Sequence, residues 1–167
     1  MSRGLDGIDI FRDDDDRRTF VELLSKNIIA ADMRCYAWVL MRNHYHLVIR
    51  TSDIALSMLM KPLNAHYASY FNKRHQRRGY LFQDRFKSVA TQEQLYIEEL
   101  IRYVHLNPIR ASVCKNLDAL DHYAWSGHAT IMGNREHPFQ DIDTVLRRFG
   151  KNRWKLVSDI VNILRKE

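Results

Sequence analysis

The sequence predicts an α+β domain in which helices cover an antiparallel sheet, and three observations carry that expectation. Two β-prone runs, residues 34–41 and 45–51, meet around Arg42-Asn43 as the strands of a hairpin would. On both sides of this hairpin, apolar residues recur at intervals of three and four, the period of a helix packed by one face. The 167 residues suffice for one hydrophobic core and fall short of two, so a single main domain is expected.

Each element has its own justification. Asp13, Asp14, Asp15 and Asp16 precede Phe20, Leu23, Leu24 and Ile28. Carboxylates stabilise the positive end of a helix dipole, so the first helix is predicted over about residues 13–31. The hairpin follows, with His44 at the start of its second strand. Beyond Asp53, the spacing of Leu56, Leu59, Met60, Leu63, Tyr67, Tyr70 and Phe71 predicts a second helix to about residue 74, with Pro62 as a kink or its true start. Residues 75–79 read as a turn, and 80–82 and 86–90 as short strands. A third helix over 93–106 should stop at Asn107-Pro108, because the residue before a proline is driven out of helical geometry. A loop through Tyr123, Ala124, Trp125 and Ser126 then leads to two short helices, 142–149 and 153–164. The expected division is a main domain over 1–130 and a helical extension over 131–167.

Composition narrows the function classes. Twenty-six Lys and Arg against 20 Asp and Glu give a net charge of +6, which favours a polyanionic partner. The excess is local: Lys73, Arg74, Arg77, Arg78, Arg85 and Lys87 crowd one segment. The aromatics between them, Tyr67, Tyr70, Phe71, Tyr80, Phe82 and Phe86, read mainly as core, while the cations read as contacts to a phosphate backbone. Cys35 and Cys114 stand far apart with no secretory segment before them, so reduced thiols in a cytoplasmic, nucleoid-associated protein are expected. No apolar run reaches the roughly 18 residues of a membrane span, so no membrane partner is expected.

The chemistry centres on His44-Tyr45-His46. In an extended strand, alternate side chains share a face, so the two imidazoles project side by side while Tyr45 turns away. Two neutral imidazoles on one face are half of a metal site. In the third helix, Ile97, Leu100, Ile101 and Val104 form the core stripe. Tyr103 and Asn107, four residues apart, lie one above the other on its flank. Tyr96 shares that flank, and periodicity alone does not choose between the tyrosines. Proximity to Asn107, whose side-chain carbonyl would complete a metal shell, favours Tyr103. His66, His75, His105, His122, His128 and His137 lack such geometry and read as surface or hydrogen-bonded core residues.

Three blocks taken together resemble the HUH single-tyrosine transposases, in their REP-associated branch. They are His44-Tyr45-His46 after Trp38-Val39-Leu40-Met41, the run from Tyr80-Leu81-Phe82-Gln83-Asp84-Arg85 to Phe86-Lys87-Ser88, and Tyr103-Val104-His105-Leu106-Asn107-Pro108-Ile109-Arg110-Ala111. The resemblance implies a ferredoxin-like sheet and cleavage and joining of single-stranded, hairpin-containing DNA through a 5′-phosphotyrosine. It implies Tyr103 as nucleophile and a divalent cation, Mg2+ or Mn2+, held by His44, His46 and Asn107. Arg74, Arg77, Arg78, Arg85 and Lys87 are then the expected DNA contacts. Members of the family act as monomers or homodimers, and the sequence leaves that choice open. In one respect the chain departs from the pattern: Ser2-Arg3-Gly4 falls where the family has already completed a strand, so the first strand is expected to be missing. Two rival readings stay open at this point, a domesticated DNA-binding protein that no longer cleaves and a metal-dependent hydrolase that uses water and has no need of Tyr103.

Overall fold

The structure is a computed structural model that describes residues 1–90 and 94–150. Its centre is a three-stranded antiparallel sheet of β1 (Ser2–Arg3), β2 (Arg34–Leu40) and β3 (His44–Arg50), in the order β1-β3-β2. This is the order of the corresponding strands of a ferredoxin-like sheet, and the α+β expectation holds. Helix α1 (Asp14–Ala30) connects β1 to β2, and α2 (Ser57–Arg74) follows the hairpin. The remaining helices are α3 (Gln94–Arg110), α4 (Leu117–Asp121), α5 (Gly127–Ile131) and α6 (Ile142–Arg148).

Alternation along β2 and β3 builds two cores. Trp38, Leu40 and Tyr45 face α1 and α2, where they meet Phe20, Leu24, Leu63, Tyr67 and Phe71. Ala37, Val39 and Met41 face the other way, against Ile101 and Val104 of α3 and Val145 of α6. A register shift between Cys35 and Ala37 turns Tyr36 to the α3 side as well. The sheet therefore lies between α1 and α2 on one face and α3 on the other. Every residue of β2 after Arg34 is buried. Its free edge is covered too, by a bridge from Val39 to Ser126 and a hydrogen bond from the Leu40 amide to the Trp125 carbonyl (2.9 Å).

Four local expectations are corrected. First, the strand expected to be missing is present: Ser2 pairs with Tyr45 and Arg3 with His44. Ser2 seals the junction, since the buried Tyr45 hydroxyl lies 2.5 Å from Asn64 Oδ1 and 3.2 Å from Ser2 Oγ. Second, 80–82 and 86–90 form no named strand but run irregularly along the outer edge of β1. Gln83 N donates to the Arg3 carbonyl and Lys87 N to the Met1 carbonyl, both at 2.9 Å. With residues 83–85 and 87–90 all exposed, the segment has no alternating apolar face to fix a full ladder.

Third, α3 does not stop before Pro108 but runs to Arg110. Its end is set by Ser112, at φ 56°, with Val113 N bonded to the Pro108 carbonyl (2.8 Å) and Ser112 N to the Ile109 carbonyl (2.9 Å). This is the Schellman closure. Fourth, α4 and α5 occupy a stretch read as loop; α2 starts at Ser57, so of the two readings of Pro62 the structure excludes that of a helix start. The helix expected over 153–164 lies outside the described residues.

Candidate active site

The site sits on the face of the sheet that looks toward α3. β3 puts His44 and His46 on that face, with ring centroids 5.1 Å apart and planes nearly perpendicular. Tyr45 between them points into the opposite core, as strand alternation requires. Tyr103 reaches the pair from α3: its ring meets His46 edge-on, centroid to centroid 5.7 Å. One turn later on the helix, the buried Asn107 side chain lies near enough to His44 to favour its charged form. Thus His44, His46, Tyr103 and Asn107 come together. Tyr103 is 44% exposed, so the residue is open to solvent.

Electrostatics favour neutral imidazoles here. Partial burial pushes the His46 pKa down to about 4, with His44 adding to the effect. Burial also lowers that of His44, as does the Arg3 guanidinium, while the Asn107 side chain opposes the shift. Below the pair, Asn43 Oδ1 lies 2.7 Å from His44 Nδ1, which orients the ring. The donor chemistry fits a borderline divalent cation: two unprotonated ring nitrogens and one amide oxygen. Among the described residues no group of three or more His, Cys, Asp or Glu is placed to hold a metal, so an ion here would need Asn107 and further ligands besides the histidine pair.

Tyr96, the rival tyrosine, lies two turns before Tyr103 and is 40% exposed. It lines the same groove along α3, together with Glu99, Arg102 and Arg110, but its ring has no contact with either histidine. Of the two tyrosines, Tyr103 is the one whose ring meets a histidine of the pair.

The basic residues are spread more widely. Arg74 is clasped by acidic side chains of the first helix, its Nη1 2.6 Å from both Asp13 Oδ1 and Asp16 Oδ1. The Arg74 guanidinium holds the Asp13 carboxyl down to about 2. Arg77 packs over Phe71 and donates to Asn72 Oδ1 (3.0 Å). Arg78, Arg85 and Lys87 are exposed, the last two in the segment that borders β1.

Three residues of this neighbourhood escaped the sequence reading. Asn43 was absorbed into the hairpin turn. Arg110, whose guanidinium lies over the Tyr103 ring at 5.5 Å, fell outside a helix ended four residues too early. Arg3 lies on the strand expected to be missing. For Arg110 the available signal was its spacing of seven from Tyr103, which is two helical turns.

Fold and site together define an α+β protein with a histidine pair on its sheet and an accessible tyrosine on the helix crossing that face. The chain matches the family described as transposase IS200 like over residues 8–107 and belongs to it. No curated protein and no solved structure matches it. Membership supports a transposase that acts on DNA, and among the described residues no helix is long and apolar enough to cross a membrane.

Proposed function

We propose that this transposase cuts and rejoins single-stranded DNA beside a hairpin, through a 5′-phosphotyrosine on Tyr103, as a member of the REP-associated branch. The observation that carries this reading is the edge-on approach of a half-exposed Tyr103 to His46, with Asn107 on the same helix beside His44. A structural tyrosine would bury its hydroxyl or give it a partner, as Tyr45 and Tyr123 do.

In the reaction the Tyr103 oxygen, having lost its proton, forms a bond to phosphorus as the bond to the 3′ oxygen breaks. That oxygen leaves as a 3′-hydroxyl after taking up a proton. The covalent link retains the energy of the phosphodiester, so a later 3′-hydroxyl reverses or redirects the reaction without a nucleotide cofactor. His44, His46 and the Asn107 amide would hold a divalent cation, which when bound polarises a phosphoryl oxygen and neutralises charge. Asn107 and Asn43 orient the imidazole of His44. Arg77, Arg78, Arg85 and Lys87 supply sequence-independent attraction to the strand, whereas the charge of Arg74 is largely answered by Asp13 and Asp16.

The test is a denaturing gel of the protein incubated with hairpin oligonucleotides and manganese. The parent should give a covalent protein–DNA adduct and a shortened strand. Tyr103→Phe should give neither while binding the oligonucleotide within a few-fold of the parent, because only a hydroxyl is removed. Continued cutting by Tyr103→Phe would transfer the chemistry to water or to Tyr96.

A further inference from the structure

One cation at the site has no role in the reaction as drawn so far. Arg3 is the direct cross-strand partner of His44, and directly paired residues of antiparallel strands project from the same face. The adjacent pair confirms the phase, since Ser2 and Tyr45 meet in the opposite core. Arg3 therefore stands beside the histidines on the face toward α3. It is exposed, and its side chain makes no hydrogen bond or ion pair with any described residue. Carboxylates answer arginines elsewhere in the protein, as with Arg42 and Asp9, Arg17 and Asp14, and Arg34 and Asp141.

The head group lies near the backbone of Gly7. Arg3 Nη2 lies 3.7 Å from where a Cβ on Gly7 would stand, and Gly7 itself sits at φ +75°, a conformation that disfavours any side chain there. The Gly7 carbonyl accepts from Asn43 Nδ2 (3.2 Å), and Asn43 Oδ1 contacts His44. Asn43 thus links Gly7, beside which Arg3 lies, to the His44 ring that it orients. An unanswered guanidinium beside two neutral imidazoles leaves a local positive charge whose natural complement is an oxyanion.

We propose that Arg3 binds the non-bridging oxygens of the phosphodiester that Tyr103 attacks, making it a substrate-binding residue of the same site. The inference rests on the proposed cleavage reaction, and it gives β1 a chemical task in addition to closing the sheet. The guanidinium fork matches a phosphate and carries its charge throughout the reaction.

The experiment is a binding cycle on the full chain carrying Tyr103→Phe, so that no turnover intervenes. Fluorescein-labelled hairpin oligonucleotides carry a neutral methylphosphonate at one linkage at a time, and the cut linkage is mapped with the parent. Arg3→Ala should weaken binding of the all-phosphate strand by about tenfold. With the methylphosphonate at the cut linkage this penalty should disappear, while at every other linkage it should remain. Arg3→Lys should recover part of the loss, and Arg3→Ala should melt with its parent because the side chain bonds nothing in the fold. Loss of the penalty at a different linkage, or at none, would overturn the proposal. If the parent forms no adduct with any oligonucleotide, the cleavage reading fails. The scan then still decides the phosphate contact, which stands on coupling at one linkage and falls on coupling at none.

Discussion

Where the two imidazoles of β3 stand sets their protonation, and the consequence is measurable against pH. Burial lowers both pKa values, that of His46 to about 4, so in the folded protein protons compete for its ring only well below pH 6. An ordinary exposed imidazole is half protonated near pH 6.5. If the pair holds manganese, the rise in Tm on adding the ion should persist as pH is lowered from 8 to about 6 and fade toward pH 4. A rise already lost through pH 6.5 would mean that the ligands are histidines of normal pKa elsewhere. The double variant His44→Ala, His46→Ala should fold, lose the manganese-dependent rise in Tm and lose manganese-dependent cleavage. Of these site residues, the histidine pair was legible in the sequence because strand alternation is a fixed geometric rule. Choosing Tyr103 over Tyr96 required the crossing angle of a helix on a sheet, which periodicity does not contain.

Helix ends decided how much of the element pattern the sequence disclosed. The first helix was predicted within a residue at each end, since Asp13 both caps it, accepting from Asp16 N at 3.1 Å, and opens the acidic block. The end of α3 was misplaced because Pro108 was weighted as a stop. In a final turn the missing proline N–H removes one hydrogen bond, and packing of Ile101, Val104 and Leu106 outweighs it. What ends the helix is a left-handed residue, and Ser carries no strong signal for that conformation. The same closure ends α1, where Asp32 has φ 47° and Met33 N bonds the Ile28 carbonyl (3.1 Å). Both residues are exposed L-amino acids in a conformation that costs roughly 1 kcal/mol and that glycine adopts freely. Ser112→Gly and Asp32→Gly should therefore each stabilise the protein by up to about 0.5 kcal/mol, after the extra chain entropy of glycine is subtracted. In thermal melts this is a gain of about 2–4 °C per kcal/mol at this chain size. A loss of stability at Ser112 would show that its side chain, not its backbone angle, holds the helix end.

At the scale of the molecule, charge is arranged in two ways, and composition alone did not separate them. The net +6 and the basic segment were plain in the sequence, but the segment is not one patch. Arg74 turns to the acidic N-terminus of α1, where the buried Asp16 also accepts from His75 Nε2 (2.9 Å) and Arg12 N (2.9 Å). That cluster ties α2 to α1, a pairing across 58 residues that no local pattern announces. Arg78 and Arg85, by contrast, are exposed and make no ion pair among the described residues, and Arg85 belongs to the segment that borders β1 and thus the site. Binding to a single strand should follow this division. Each phosphate neutralised releases counterion, and for single strands the slope of log K against log salt is about −0.7 per contact. Replacing Arg78 and Arg85 together with alanine should therefore flatten the slope by about 1.4 and weaken binding to all single-stranded sequences alike. Replacing Arg74 should change the slope little and lower Tm instead, because Asp13 and the buried Asp16 lose their partner. If the slope instead follows Arg74 and ignores Arg78 and Arg85, the strand runs over the α1–α2 junction and not along the edge of the sheet that carries the histidines.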